Sequence, residues 1–392
     1  MNGFERSLLL VKKILSLVKS LIPYPLRRFL LLLNLTLRNS GRWATILLTT
    51  PPGRGEVRVF YGHAHVPSTD ELAHGGMVKY QILQKVFPNS PRRFNIQYLV
   101  SSAPPGDWAQ LLWLTKKKET KLVWNQNGVW YPACYGPGWE KVNKPMQRML
   151  HAADHVLYQS HFCKLSAELF LGKRQGSWEI LYNPVDTDPF TPADSDPDPH
   201  HLVLLLGGNQ YPYYRFEYAA RTLAVLTRYR SDVKLLVTGR LGSAPDKEAV
   251  LAGQGLATDL RIADRIEFLG PYLYKDAPNI FRKVHILLHT KYNDPSPAVV
   301  QEAMACGIPV VYSKSGGVPE LVGDEAGIGI PAELSWDEEL PPDPQAMAEA
   351  VLRIDQRRAQ YAEAARQRAV ELFDLRPWLR RHHEVFEELL SK

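Results

Sequence analysis

A chain of 392 residues with 45% hydrophobic and 22% charged residues is too long for one ordinary core and too apolar to be disordered, which points to two domains of roughly 150–200 residues each. The net charge of +6 is uneven: residues 1–50 hold eight Lys and Arg against the single acid Glu5, so the other 342 residues carry a net of −1. With no basic stripe through the folded part, a nucleic-acid partner is not expected.

Residues 4–37 are rich in Leu and Val, but Lys12, Lys13, Lys19, Arg27 and Arg28 interrupt every apolar run, and the longest clean run is about nine residues. A membrane-spanning helix needs about twenty, and no small-residue site for a cleavable signal follows. Leu8, Val11, Leu15 and Val18 recur at helical spacing with lysines on the other faces. That pattern predicts a basic amphipathic helix on an anionic membrane surface, with packing on the protein's own body as the other reading.

From residue 56, short apolar runs alternate with helical segments. Strands are expected near Val57–His63, Asn95–Ser101, Leu122–Asn125, His155–Tyr158 and Glu179–Tyr182, with helices at Met77–Val86, Lys144–Ala153 and Lys164–Leu171. The polar, proline-rich segment Pro192–Pro199 reads as a linker. The alternation restarts with strands near Leu202–Leu206, Lys234–Val237, Ile266–Phe268, His285–His289 and Pro309–Tyr312, then strong helical pattern at Asp343–Leu372 and Trp378–Leu390. Such alternation predicts two doubly wound parallel-sheet domains facing a cleft. The expected division is 1–50 membrane-associating segment, 51–192 first domain, 200–375 second domain and 376–392 a helix crossing back. Ligands in such folds bind beyond the carboxyl ends of the strands.

Cys134, Cys163 and Cys306 lack paired spacing, which favours a reducing, cytosolic compartment. The Asp-Xaa-Asp triplets at 186–188, 194–196 and 196–198 lie in or beside the linker, so no metal site is expected.

The stretch from Asp294 to Leu321, DPSPAVVQEAMACGIPVVYSKSGGVPEL, is the most informative. It sets Asp294 and Glu302 eight residues apart around a helix start at Ser296-Pro297-Ala298. A helix N-terminus is a natural seat for a phosphate, and Glu302, two turns in, can accept hydrogen bonds from ribose hydroxyls. This stretch closely resembles the donor-sugar signature of retaining glycosyltransferases of family four, which have the GT-B fold. The resemblance is sharp over 294–323 and looser over the rest of 56–390. It implies an α/β fold of two Rossmann-like domains and transfer of a sugar from a nucleotide-diphosphate donor to a hydroxyl acceptor. No cofactor beyond the donor substrate is implied.

Residue by residue, the resemblance assigns Glu302 to the ribose and Asp294, where relatives have Glu, to the donor sugar. Gly75 and Gly76 are similar to the loop that closes over the donor phosphates. Gly208 and Asn209 match the element whose two cations clamp the diphosphate; Asn209 stands in the arginine place and Arg215 in the lysine place, with Arg240 as a compensating cation. Tyr272 lies where the nucleobase is received. Asn127 stands where many relatives carry histidine near the reacting sugar; the leaving phosphate is thought to take the acceptor proton, so a side-chain base is not obligatory. Together with the basic N-terminus this implies a glycan or glycolipid acceptor at the inner membrane surface. The alternative is a non-catalytic nucleotide-sugar-binding or scaffold protein, which Asn127 and Asn209 favour.

Overall fold

The computed structural model describes residues 41–392, apart from 54, 74 and 243–245. The amphipathic expectation for residues 4–37 therefore lies outside the described residues.

The first sheet comprises β1 (Val59–Phe60), β2 (Ile96–Val100), β3 (Lys121–Gln126), β4 (His155–Tyr158) and β5 (Ser177–Ile180), in the order β1-β2-β3-β4-β5. The second comprises β6 (Leu202–Leu206), β7 (Val233–Thr238), β8 (Ile266–Gly270), β9 (Ile286–His289), β10 (Val310–Lys314) and β11 (Gly327–Pro331), ordered β11-β10-β9-β6-β7-β8. Every pairing in both sheets is parallel. Runs such as Leu202–Leu206 are buried throughout, as strands covered by helices on both faces must be. The chain is a two-domain α/β protein with two parallel, helix-covered sheets.

Several boundaries differ from the sequence reading. The first strand shrinks to Val59–Phe60, because the backbone on either side turns to other partners: Arg58 N donates to Asn95 Oδ1 at 2.9 Å and Tyr61 N to Asn89 Oδ1 at 3.3 Å. The helix expected at Met77–Val86 spans Gly75–Leu83. Helix Trp108–Lys117 lies between β2 and β3, as the alternation implied without giving its bounds, and strand β11 was not expected. The long helical pattern from Asp343 divides into Pro344–Gln356 and Arg358–Phe373.

The last helix, Leu375–Ser391, buries Trp378, Val385, Phe386, Leu389 and Leu390 against Tyr98, Phe87 and Leu83 of the first domain. The domains also meet across the cleft. Ser160 Oγ donates to Pro295 O at 2.7 Å, and Asn183 Nδ2 donates to Ser296 O at 3.1 Å. Trp336 of the second domain packs edge-on against Tyr131 and stacks on Phe162 of the first. The linker is pinned to the second domain by Asp196, which meets His285 and Arg358, each at 2.8 Å.

Candidate active site

The interdomain cleft holds a cavity of about 420 Å³. Its second-domain wall comes from the loops just after strands: Gly208 and Asn209 after β6, Gly239 and Arg240 after β7, Pro271 and Tyr272 after β8, and Ala298, Val299 and Glu302 on the helix after β9. The sheet order reverses between β6 and β9, the usual ligand position in a doubly wound fold. The first domain closes it with Leu72, Ala73 and the helix Gly75–Leu83, which contributes Gly75, Val78, Lys79 and Ile82.

The floor is built from backbone that admits no bulk. Gly208 and Gly239 both have positive φ, and a Cβ on Gly239 would sit 2.3 Å from Gly208 O. Two strand-end loops thus lie against each other, leaving main chain open to the cavity. Asn209 is fixed here, because its Oδ1 accepts from Arg240 N at 3.0 Å. Helix Ala298–Ala305 points its N-terminus into the same space, after Pro297 in extended conformation.

Glu302 lines the cavity and is 9% exposed. Burial alone pushes its carboxyl up to about 7. Beside it are Tyr272 and Tyr274, and the buried Tyr274 hydroxyl and Asn183 Oδ1 have no hydrogen-bond partner among the described residues. A buried carboxyl without a counter-charge, flanked by orphaned polar atoms, marks a place where a polar ligand completes the hydrogen bonding.

The sequence reading did not single out Lys79. Its side chain is buried yet lines the cavity, and burial pulls its ammonium down to about 8. No hydrogen bond or ion pair engages it among the described residues. It faces the cleft from the first domain, opposite the uncharged Asn209.

Several expected residues sit elsewhere. Arg215 does not line the cavity: its buried guanidinium lies beneath the β6 loop, bonded to Asn209 O and, at 3.4 Å, Gly207 O. Asp294 is also turned inward, 3.1 Å from His289 Nε2 and 3.3 Å from Lys291 Nζ. Burial raises the Asp294 carboxyl, but Lys291 and the His289 hydrogen bond outweigh that and hold it below the usual carboxylate range. Ser296 is an interdomain tie, accepting from Asn183 Nδ2 at 3.0 Å and donating to Gln159 O at 3.2 Å. Gly76 packs against Ser102 and Ala103 rather than opening on the cavity.

Asn127 lines a second cavity of about 240 Å³, on the other side of the Pro295 loop, with Trp130, Tyr131, Tyr211, Tyr292 and Lys291. Gly128 there approaches the second domain so closely that a Cβ would lie 2.7 Å from Pro295 Cγ. Among the described residues no cluster of three or more His, Cys, Asp or Glu is placed to hold a metal ion.

Residues 200–356 match the family model described as Glycosyl transferases group 1. The chain is 32% identical over 167 residues to D-inositol 3-phosphate glycosyltransferase of Mycobacteroides abscessus, an alignment covering 41% of this chain and 37% of that one. It is 25% identical over 193 residues to a subunit of human phosphatidylinositol N-acetylglucosaminyltransferase, covering 46% and 36%. The chain thus spans well under half the length of these relatives. Among solved structures, Anabaena HepE in complex with UDP-glucose superposes with a TM-score of 0.63 at 19% identity, over 80% of this chain and 82% of that one. A glycosyltransferase from Rickettsia africae superposes with a TM-score of 0.60 at 17% identity, over 82% and 85%. At these identities the structural likeness speaks for the fold.

Proposed function

We propose that this two-domain protein is a retaining glycosyltransferase that moves a sugar from a nucleotide-diphosphate sugar to a hydroxyl acceptor. The observation that carries the reading is Glu302, a buried carboxyl without a counter-charge beside a helix N-terminus in the interdomain cavity. Its carboxylate accepts from the ribose hydroxyls, while the amides at Ala298 and the cation of Lys79 hold the diphosphate. Tyr272 and the adjoining backbone receive the base, and Arg240 and Asn209 border the phosphates. The reading draws support from the group 1 match over 200–356 and from relatives named as glycosyltransferases.

In the transfer, the acceptor oxygen bonds to the anomeric carbon as the bond from that carbon to the β-phosphate oxygen breaks. The acceptor proton passes to the leaving phosphate, so no side-chain base is required. The cations and helix dipole stabilise the charge growing on the diphosphate. Asn127, in the adjoining cavity, orients sugar or acceptor by hydrogen bonds. Asp294, pinned by His289 and Lys291, shapes the Pro295 loop on which the sugar rests. The second cavity is where the acceptor enters, and the basic residues 1–50 bring the protein to an anionic membrane carrying a glycolipid or envelope-glycan acceptor. No described helix is long and apolar enough to cross a membrane.

Asn209 in place of a cation favours a second reading, a protein that binds the nucleotide sugar without transferring it. A thermal-shift and turnover panel with UDP, GDP, ADP and their sugar conjugates separates the two. Ligand at 100 times its dissociation constant stabilises by about 2.7 kcal/mol. A shift with one nucleotide class, lost in Glu302→Ala, supports donor binding, and turnover then selects transfer over mere binding. No shift with any nucleotide overturns both.

A further inference from the structure

The first domain has one flank whose chemistry the cleft does not use. Residues 41–48 are helical and pass beside Asp107: Trp43 Nε1 donates to the Asp107 carboxylate at 2.9 Å, and Arg42 is ion-paired to it. Asp107 immediately precedes helix Trp108–Lys117, so the two helices lie together there. They also finish together, since Lys118 Nζ donates to Leu47 O at 2.7 Å. Ile46 and Trp43 pack with Leu111 and Leu114 between them. The helices therefore lie side by side.

The outward face of this pair is amphipathic in an unusual sense. On helix Trp108–Lys117 the exposed positions are Ala109, Gln110, Trp113, Lys116 and Lys117, with Trp113 central, 51% exposed, and no acid on the helix. On its neighbour Leu47 is exposed and Leu48 is 86% exposed. Arg92 and Arg93 gather with Lys118 around the end of helix 41–48. The acids near this end are Glu56, Glu119 and Asp154. Among the described residues no ion pair engages Lys116, Lys117, Arg92 or Arg93. Tryptophan and leucine ringed by lysine and arginine is the composition that seats at a membrane interface, the rings and chains among the headgroups and the cations on anionic lipid.

We propose that this flank, centred on Trp113 and Leu48 with Lys116 and Lys117 at its border, is the surface by which the folded body lies on an anionic membrane. The inference rests on the peripheral-membrane reading above and adds the body's own docking face to it. The chain's first 40 residues, the other candidate occupant, carry seven Lys and Arg against Glu5, the same sign of charge as the flank. Like charge disfavours that pairing and favours a phosphate-bearing lipid surface, which both bind together.

The test is flotation of the full chain with vesicles of phosphatidylcholine alone and of phosphatidylcholine with phosphatidylglycerol. The wild type should float with the anionic vesicles only. Trp113→Ser combined with Leu48→Ser, and separately Lys116→Glu combined with Lys117→Glu, should each lower that partition about tenfold. Trp113→Phe should keep binding but remove a blue shift of tryptophan emission seen on adding vesicles. An unchanged thermal shift by donor nucleotide certifies the fold of each variant. Wild-type flotation that both double variants retain overturns this proposal while the peripheral reading stands on residues 1–40. No flotation by the wild type overturns both. Variants that change self-association instead of flotation assign the face to a second copy and also overturn it.

Discussion

His382, on the last helix, points its Nε2 at the hydroxyl of Tyr98 on β2 across 284 residues of sequence, at 3.1 Å, while its Nδ1 lies 2.8 Å from Trp378 O. The C-terminal helix is thus joined to the first domain by a buried neutral imidazole. Burial pushes its pKa down to about 4. A histidine whose folded pKa is depressed contributes stability that is present above its unfolded value of about 6.5 and is lost as pH falls towards 4. About 3 kcal/mol should disappear over that window from this group. Urea melts at pH 7, 5.5 and 4.5 should show His382→Gln losing less on acidification than the wild type. Parallel pH dependences in the two proteins would remove His382 from the account.

Donor binding should have an acidic limit set by Glu302. The carboxylate, not the acid, accepts from two ribose hydroxyls, and burial holds its pKa up to about 7. Affinity for the nucleotide should therefore fall as pH drops from 8 to 6. Glu302→Gln should weaken binding by roughly 10–100-fold at pH 8 and abolish the acidic limb, since hydrogen bonds to a charged group contribute about 1.5–3 kcal/mol. Calorimetric titrations at pH 6, 7 and 8 decide it; an acidic limb that persists in Glu302→Gln assigns the titration elsewhere.

Lys79 should set the alkaline limit. Its ammonium is pulled down to about 8, so the free protein loses this charge as pH rises through 8. Replacing it with methionine keeps the buried stem and removes the cation. Lys79→Met should weaken a nucleoside diphosphate by roughly 10–100-fold while leaving the bare nucleoside unaffected. Equal loss for both ligands would show a packing role instead.

The pairing of Glu302 with a helix start was legible because both lie within one short segment, and local spacing alone places them. Lys79 was not. On a helix reading Gly-Gly-Met-Val-Lys-Tyr-Gln-Ile-Leu, a lysine reads as a solvated position. Only closure of the second domain turns that face into a cavity wall. Strand β11 was hidden for a similar reason: Gly327-Ile328-Gly329-Ile330-Pro331 reads as a turn, yet Gly327 is required where a Cβ would lie 2.1 Å from Val310 O. Sequence spacing also brought Asp294 to the site. It carried no information on rotamer, and the side chain turns towards His289 and Lys291.

The closed cleft should depend on Glu320. Its carboxylate, from the second domain, accepts from His161 N at 2.9 Å and Phe162 N at 3.0 Å, the first two amides of helix His161–Phe170 in the first. Tyr182 adds its hydroxyl at 3.2 Å. An acid capping a helix N-terminus contributes about 1 kcal/mol, more where partly buried. Here that energy acts between domains rather than within one, so Glu320→Ala should favour an open cleft over an unfolded chain. Small-angle scattering should give a larger radius of gyration for the variant without nucleotide, returning towards the wild-type value when donor is added. Its apparent donor affinity should fall about fivefold, the cost of re-forming the closed state. A radius of gyration equal to the wild type's, together with a lowered melting temperature, would confine Glu320 to local stability and leave closure to Ser160, Asn183 and Trp336.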